Sequence, residues 1–192
     1  TELSHIILHY TDMDSAQAAL ERMCDPAAKV SAHYLIHRDG QIVQLVEESR
    51  RAWHAGVASW RGESDMNSAS IGIELDHQGH DAQGQMAAFP KAQRKALYAL
   101  LKDIITRNNL DPRHVIGHSD IAPGRKVDPG EAFDWAELHE AGFGLWLGQV
   151  KQEAVAEVPS DDATAQKAIL PLQKALAAFG YLIEADGTYG AQ

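Results

Sequence analysis

Strand-length apolar runs interleaved with helical segments constrain the fold of this chain more than any other sequence feature. Several runs are rich in isoleucine, leucine and valine and too short for helices, which is typical of buried strands. They are residues 3–10 (LSHIILHY), 32–36 (AHYLI), 42–46 (IVQLV), 71–75 (IGIEL) and 114–118 (HVIGH). Asp39-Gly40 lies between the second and third runs. Because an Asp-Gly pair favours a tight turn, these two runs predict a β-hairpin.

Two segments between these strands have features of helices. Residues 91–107 carry leucine and isoleucine at helical spacing after Pro90, a residue that is tolerated at a helix start. Asp14 followed by Gln17 resembles a capping box, which predicts a helix through residues 18–20. Strands and helices that mix in this way favour an α/β fold with a mixed central β-sheet flanked by helices.

The length and the change of composition near the carboxyl end predict a domain followed by a small module. The chain has 192 residues, enough for one domain of ordinary size and some additional chain. Residues 149–163 are polar and acidic and include Pro159, which is typical of a linker. We therefore predict a main domain over residues 1–148, a linker over residues 149–163 and a short helical segment over residues 164–192.

Charge and cysteine content exclude several classes of protein. The formal net charge is −10, and Lys and Arg are scattered, so we expect no nucleic-acid partner. No apolar stretch approaches the length of a membrane span, so we expect no span in this chain. Cys24 is the only cysteine, which excludes an internal disulfide. We predict that Cys24 is a small buried apolar residue.

Two histidines and an aspartate form a candidate metal-binding set. His9 lies at the end of the first predicted strand, and His118 ends the last one. Asp128 follows in a loop rich in proline and glycine. Two imidazoles and one carboxylate are a set that zinc accepts while it keeps a fourth position for water. From spacing alone, the alternative is that each histidine is a hydrogen-bonded structural residue.

Glu74 and Lys126 are candidates for proton transfer and charge stabilisation. Strand alternation places Glu74 on the same face as Gly72, where a carboxylate suits a general base above a sheet. The alternative is a solvent-facing residue of an edge strand. Lys126 lies two positions before Asp128, so its ammonium group is expected near the open position of a bound metal, where it would stabilise an oxyanion. The alternative is a solvated loop lysine.

Three further residues are candidates for substrate binding. Trp53 and His54 precede Ala55-Gly56, an arrangement that offers an aromatic wall and a polar group beside a flexible turn. The alternative for Trp53 is a tryptophan of the core. His33 lies next to the predicted hairpin and is a third candidate for the same pocket; its alternative is a structural role.

Four segments resemble, in order and spacing, the type 2 N-acetylmuramoyl-L-alanine amidases, which are zinc amidases related to peptidoglycan recognition proteins. They are residues 30–36 (VSAHYLI), 51–56 (RAWHAG), 70–75 (SIGIEL) and 117–130 (GHSDIAPGRKVDPG). The resemblance implies one Zn²⁺ per chain, held by His9, His118 and Asp128. It also implies Glu74 as the catalytic acid/base, Lys126 as a residue that helps to hold the tetrahedral intermediate, and a groove over the zinc on a mixed sheet.

The resemblance implies hydrolysis of the amide bond between the lactyl group of N-acetylmuramic acid and L-alanine of the stem peptide. Peptidoglycan or muropeptides are then the expected partners, and cell-wall degradation or recycling is the expected role. All three ligand positions are filled here, which favours an enzyme. One alternative is a recognition protein that binds muropeptides without cutting them, and another is a zinc hydrolase of ordinary peptides. We expect a location in the cell envelope, in the periplasm or attached to the outer membrane, rather than in the cytoplasm.

The carboxyl-terminal segment has a separate resemblance. Residues 172–176 (LQKAL), 179–181 (FGY) and 186–190 (DGTYG) resemble the start of a peptidoglycan-binding module, a small three-helix unit. This resemblance implies a partial module over residues 164–192. The alternative is a terminal helix that docks on the main domain.

Overall fold

A computed structural model describes residues 2–146, 148 and 162–188. Its strands form one sheet in the order β3-β2-β4-β1-β5, in which β2 and β3 are antiparallel and the other neighbours are parallel. The strands are β1 (His5–Tyr10), β2 (Tyr34–Ile36), β3 (Ile42–Gln44), β4 (Ser70–Leu75) and β5 (Val115–Gly117). This mixed sheet with flanking helices confirms the predicted fold class, and the pairing of β2 with β3 confirms the hairpin.

The helices differ from the sequence-based boundaries at two informative places. The α-helices are α1 (Ala16–Cys24), α2 (Met66–Ala69), α3 (Lys91–Asn108), α4 (His118–Ile121), α5 (Trp135–Glu140) and α6 (Asp162–Phe179). Ser15 caps α1, because its Oγ accepts a hydrogen bond from the Ala18 amide at 3.2 Å, so the prediction of Asp14 as the cap was wrong by one position. The last predicted strand is also shorter than expected, since His118 begins α4 instead of ending β5.

One face of the sheet packs in the hydrophobic core, and the other face carries polar side chains. Because side chains alternate along a strand, Ile6 and Leu8 of β1 point to one face and His9 to the other. Ile6 and Leu8 belong to a large buried cluster together with Leu97 and Leu101 of α3. Burial of each such side chain stabilises the fold by about 1.5–3 kcal/mol. The core therefore lies between the sheet and α3, and the face of His9 is free for polar chemistry.

The opposite face is only partly covered by α1. A smaller cluster joins Ala16 and Ala19 of α1 to Leu35 of β2. Cys24, at the end of α1, is exposed, so the prediction of a buried cysteine was wrong. Leu20 and Met23 of α1 pack against this cluster and are partly buried, whereas Cys24 at the helix end is exposed.

The chain divides into two compact units. The first comprises Thr1–Ala58 and Asp65–Trp146, and the second comprises Ser59–Ser64 and Leu147–Gln192. Ser59–Ser64 was predicted within the main domain but groups with the second unit, because the Trp60 ring lies 5.0 Å from that of Tyr181. Of the predicted linker, residues 149–161 lie outside the described residues, and residues 162 and 163 already belong to α6. None of the helices within the described ranges is both long and apolar enough to cross a membrane.

Glu48 provides a test of the packing between the loop after β3 and the end of α3. Its carboxylate accepts hydrogen bonds from the Tyr34 hydroxyl at 2.6 Å, Arg107 at 2.7 Å and Asn108 at 2.7 Å. We expect Glu48→Ala to lower the free energy of unfolding by about 2–3 kcal/mol, because it leaves partly buried donors without an acceptor. Urea denaturation measures this loss. Glu47→Ala is the matched control, since its salt bridge with Arg50 is exposed and contributes about 0–1 kcal/mol; equal losses in the two variants would contradict the expectation.

Candidate active site

The three predicted metal ligands converge at one edge of the sheet. His9 Nδ1 lies 3.0 Å from His118 Nδ1 and 2.9 Å from the Asp128 Oδ2 atom. His118 Nδ1 lies 3.0 Å from the same carboxylate oxygen. All three residues are buried, although Asp128 is 119 positions from His9 in the sequence. Parallel pairing of β1 with β5 brings the two histidines together at the ends of these strands.

Backbone and side-chain partners orient both imidazoles toward this point. His118 Nε2 lies 2.9 Å from the Ala55 carbonyl oxygen, which can only accept, so Nε2 carries the proton and the Nδ1 lone pair faces Asp128. His9 Nε2 lies 3.0 Å from His54 Nδ1. If His9 Nε2 donates in this pair, the Nδ1 lone pair of His9 is also free to bind a cation.

These donor atoms fit a zinc ion. Tetrahedral zinc with bonds of ~2.0–2.2 Å holds its ligand atoms roughly 3.3–3.6 Å apart, a few tenths of an ångström more than the separations here. Burial lowers the pKa of His9 to about 4, so the ring is neutral at pH 7, as a ligand must be. Acceptor lone pairs that converge repel each other unless a cation or a proton lies between them, and a metal ion bound here would remove this repulsion.

Glu74 lies on the same face as the metal-ligand set. It is the register partner of His9 in the parallel pairing of β1 with β4, and β4 is an inner strand, so the edge-strand alternative is excluded. Burial, reinforced by the charge of Asp128, raises the pKa of Glu74 to about 8, although Lys126 acts in the opposite direction. Within the described parts of the chain its Oε2 atom has no hydrogen-bond partner. A carboxyl group with these properties is suited to take up and return a proton near neutral pH.

A cavity of about 540 Å³ collects most of the predicted site residues. It is lined by the three metal-ligand candidates together with Glu74, Lys126, Trp53 and His54. Trp53 is half exposed, so the alternative of a core tryptophan is excluded and its ring is available to a ligand. The cavity thus combines a metal-ligand set, a proton-transfer candidate, a cation and an aromatic wall.

His33 does not reach this cavity. Its Nε2 donates to the Arg50 carbonyl at 3.0 Å, and its Nδ1 accepts from the Gly72 amide at 3.0 Å. Both ring nitrogens are therefore used by the backbone, and among the residues that the structure describes His33 is not part of the cavity lining. These contacts favour the structural alternative for His33 over substrate binding, since the ring joins the Arg50 segment after β3 to β4.

Gly72 is required by the position of His54. A Cβ atom at residue 72 would lie 2.4 Å from Cγ of the His54 ring, far inside van der Waals contact. We expect Gly72→Ala to displace His54 from His9 and to weaken zinc binding about 10–100-fold, the usual effect of losing a partner behind a metal ligand. Competition with a chromophoric chelator measures the affinity. The expectation fails if Gly72→Ala binds zinc as tightly as the unmodified protein.

A second variant separates crowding from other effects of the alanine. In a His54→Ala background, the added Cβ at residue 72 has no ring to meet. The Gly72→Ala change should therefore cost less zinc affinity in that background than in the unmodified protein.

Asn67 is a site residue that the sequence analysis did not identify. Its Oδ1 accepts hydrogen bonds from the amides of His54 and Ala55, each at 2.8 Å. Asn67 belongs to α2, and the residues that it holds lie in an irregular loop 12 and 13 positions earlier. No periodic pattern links positions separated in this way, so only the three-dimensional structure identifies the contact.

Comparison with known proteins places this site in a family. Residues 1–131 match the family model described as N-acetylmuramoyl-L-alanine amidase. The chain is 37% identical over 200 residues to the N-acetylmuramoyl-L-alanine amidase AmiD of Escherichia coli (strain K12), an alignment that covers 95% of this chain and 68% of AmiD. It is 49% identical over 110 residues to the 1,6-anhydro-N-acetylmuramyl-L-alanine amidase AmpD of Citrobacter freundii, which covers 57% of this chain and 56% of AmpD.

The fold is similar to that of a solved relative. The structure of E. coli AmiD in complex with the substrate anhydro-N-acetylmuramic acid-L-Ala-D-gamma-Glu-L-Lys superposes with a TM-score of 0.79 at 36% identity, covering 97% of this chain and 74% of that one. The family model spans both predicted histidine ligands and the aspartate. The chain therefore belongs to the N-acetylmuramoyl-L-alanine amidase family.

Proposed function

We propose that this chain is a zinc-dependent amidase that separates the lactyl group of N-acetylmuramic acid from L-alanine of the stem peptide. One observation carries the proposal: His9, His118 and Asp128 place three ligand atoms within 3.0 Å of one another in the cavity that also contains Glu74. A metal-ligand set and an adjacent proton-transfer group are the two parts that amide hydrolysis of this kind needs. Family membership supports the same reaction.

Zinc held by these three residues would supply Lewis-acid chemistry, which polarises a carbonyl group and lowers the pKa of water toward ~7. Glu74 accepts the proton of the attacking water through its unpartnered carboxylate oxygen. Glu74 then returns this proton to the nitrogen of L-alanine, because an amine leaves readily only when it is protonated. The Lys126 ammonium group, which lines the same cavity, stabilises the negative charge that develops on the carbonyl oxygen.

Substrate contacts are assigned to the open wall of the cavity. Trp53 is 50% exposed and offers a flat apolar surface to a sugar ring or to the stem peptide. His54 is assigned a contact at the floor of the cavity, although its ring is also the partner of His9. The relative AmiD is described with an anhydromuramic acid peptide as its substrate, which supports the same chemical class for this chain.

Mass spectrometry of muropeptides incubated with the protein tests the proposal. We expect a free stem peptide and a peptide-free muramic acid product, and we expect both to disappear when a chelator removes the metal. Intact muropeptide that is tightly bound would instead identify a recognition protein. Cleavage of an ordinary peptide in place of the muramoyl amide would identify a different zinc hydrolase. Using intact peptidoglycan and anhydromuropeptides in parallel defines the preferred substrate.

The second unit is proposed to bind peptidoglycan, and a location in the cell envelope is proposed on that basis. Support comes from the way in which α6 holds the following turn. Gln173 is buried, donates to Asp186 Oδ1 and to the Thr188 carbonyl, each at 3.0 Å, and accepts from the Gly187 amide at 2.7 Å. These four residues lie in segments that resemble a peptidoglycan-binding module. Sedimentation of the protein with purified cell wall, with and without residues 164–192, tests this role.

A further inference from the structure

The Arg125 guanidinium contacts a neighbouring loop of the active site and lies beside His118, with its Nη2 atom 3.4 Å from His118 Nε2. Its Nη2 group donates to the Ala55 carbonyl and to the Val57 carbonyl, each at 2.6 Å. Within the described ranges Arg125 forms no salt bridge with a carboxylate. A guanidinium that donates to two backbone carbonyl oxygens, and not to a carboxylate, fixes the path of the backbone between those two carbonyls.

The loop that Arg125 contacts is buried at its ends, at Ala55 and Ala58, and exposed between them. Gly56 and Val57 are exposed, and Val57 is 86% exposed. Gly56 has a φ of +61°, a left-handed conformation that favours glycine and places the two flanking carbonyls on the side of Arg125. Because Gly56 and Val57 bury little surface, the hydrogen bonds to the carbonyls of Ala55 and Val57 help to determine the path of the backbone between the buried ends.

The Ala55 peptide is the point at which this loop meets the metal-ligand set. Asn67 accepts from the Ala55 amide at 2.8 Å, and the Ala55 carbonyl accepts from both Arg125 and His118. The contact from His118 Nε2, at 2.9 Å, is the one that directs the Nδ1 lone pair of this histidine toward Asp128. The carbonyl can perform this task only if its own position is fixed.

We propose that Arg125 is a positioning residue of the metal centre, which acts by holding the Ala55 carbonyl that orients His118. The inference rests on the proposed function insofar as His118 is a zinc ligand. Arg125 also lines the cavity, so a direct contact with substrate is the competing explanation. The two explanations differ in a measurable way, because only a positioning residue changes metal binding in the absence of substrate.

Zinc affinity of purified full-length variants tests the proposal without any substrate. Arg125→Met keeps the length of the side chain and removes all its donors, and we expect zinc affinity to fall about 10–100-fold. Arg125→Lys retains a cation that can reach one carbonyl, and we expect it to recover part of the loss. Arg22→Met is the matched control: Arg22 lines the same cavity, and no side-chain hydrogen bond or ion pair is found for it among the described residues, so zinc affinity should not change.

The visible absorption spectrum of Co²⁺-loaded protein provides a second readout. Altered band positions in Arg125→Met would show that the ligand geometry has changed, and a structural role elsewhere in the fold would leave them unchanged. Thermal unfolding of the metal-free variants identifies any general loss of stability, and Arg125→Lys decides the result if Arg125→Met does not fold.

The possible outcomes are distinguishable. Weaker zinc binding with a changed cobalt spectrum supports the proposal. Unchanged zinc affinity and cobalt spectrum with a raised KM for muropeptide overturns it and identifies Arg125 as a substrate contact. If the unmodified protein itself binds no zinc, the proposed function fails, and this inference fails with it; normal zinc binding in both Arg125 variants overturns this inference alone.

Discussion

Replacement of Glu74 by glutamine is expected to reduce turnover of muropeptides by about 10²–10⁴ while zinc binding is retained. Glutamine has nearly the same shape as glutamate but cannot accept the proton of the attacking water. Glu74 is not part of the metal-ligand set, whose three members already contact one another. The loss should therefore appear in kcat, measured from the rate of release of the stem peptide.

The electrostatic surroundings of Glu74 explain why its loss is expected to be so large. Burial and the nearby Asp128 raise its pKa to about 8 in the metal-free chain, so protonated and ionised forms are close in free energy near neutral pH. A group with this balance transfers protons in both directions at little cost. Glu140→Gln, a change at an exposed position of α5, is the control and should leave turnover unchanged. Turnover within tenfold of normal in Glu74→Gln would contradict the assignment.

Much of the active site was predictable because its residues lie where strands end. His9 is the penultimate residue of β1, and His118 directly follows β5. Parallel neighbours place these ends at one edge of the sheet, so a strand prediction already brings the two histidines together. Glu74 was predictable for a related reason, since alternation along a strand determines its face. The structure adds that Glu74 pairs in register with His9, and no local sequence pattern indicates this pairing.

Sequence reasoning could not determine roles that depend on the direction of a side chain in a loop. His33 and His54 are both histidines in irregular segments, yet the ring of His33 bonds to the backbone and the ring of His54 supports His9. Strand alternation places Gly72 on the same face as Glu74, and only the structure shows that the His54 ring fills the space beside Gly72. Arg125 has no distinguishing pattern either, because its partners are carbonyl groups, which every residue possesses.

Loss of the carboxylate ligand is expected to have the other large effect, on both activity and stability. Asp128→Ala removes the oxygen that lies within 3.0 Å of both proposed histidine ligands, so we expect turnover to fall to background. Zinc that binds only the folded chain should stabilise the unmodified protein by about 2.7 kcal/mol when its concentration is a hundredfold above Kd. For a chain of this size, that free energy raises Tm by roughly 5–10 °C. Thermal unfolding with and without zinc measures the shift.

The pattern across variants separates metal binding from catalysis. Asp128→Ala should lose both the zinc-dependent rise in Tm and turnover, whereas Glu74→Gln should lose turnover and keep the rise. A full rise in Tm in Asp128→Ala would show that zinc binds elsewhere, and the convergence of His9, His118 and Asp128 would then have another cause. Because acceptor atoms this close together repel one another unless a cation or a proton lies between them, binding of the metal at this point should turn a repulsive contact into a stabilising one.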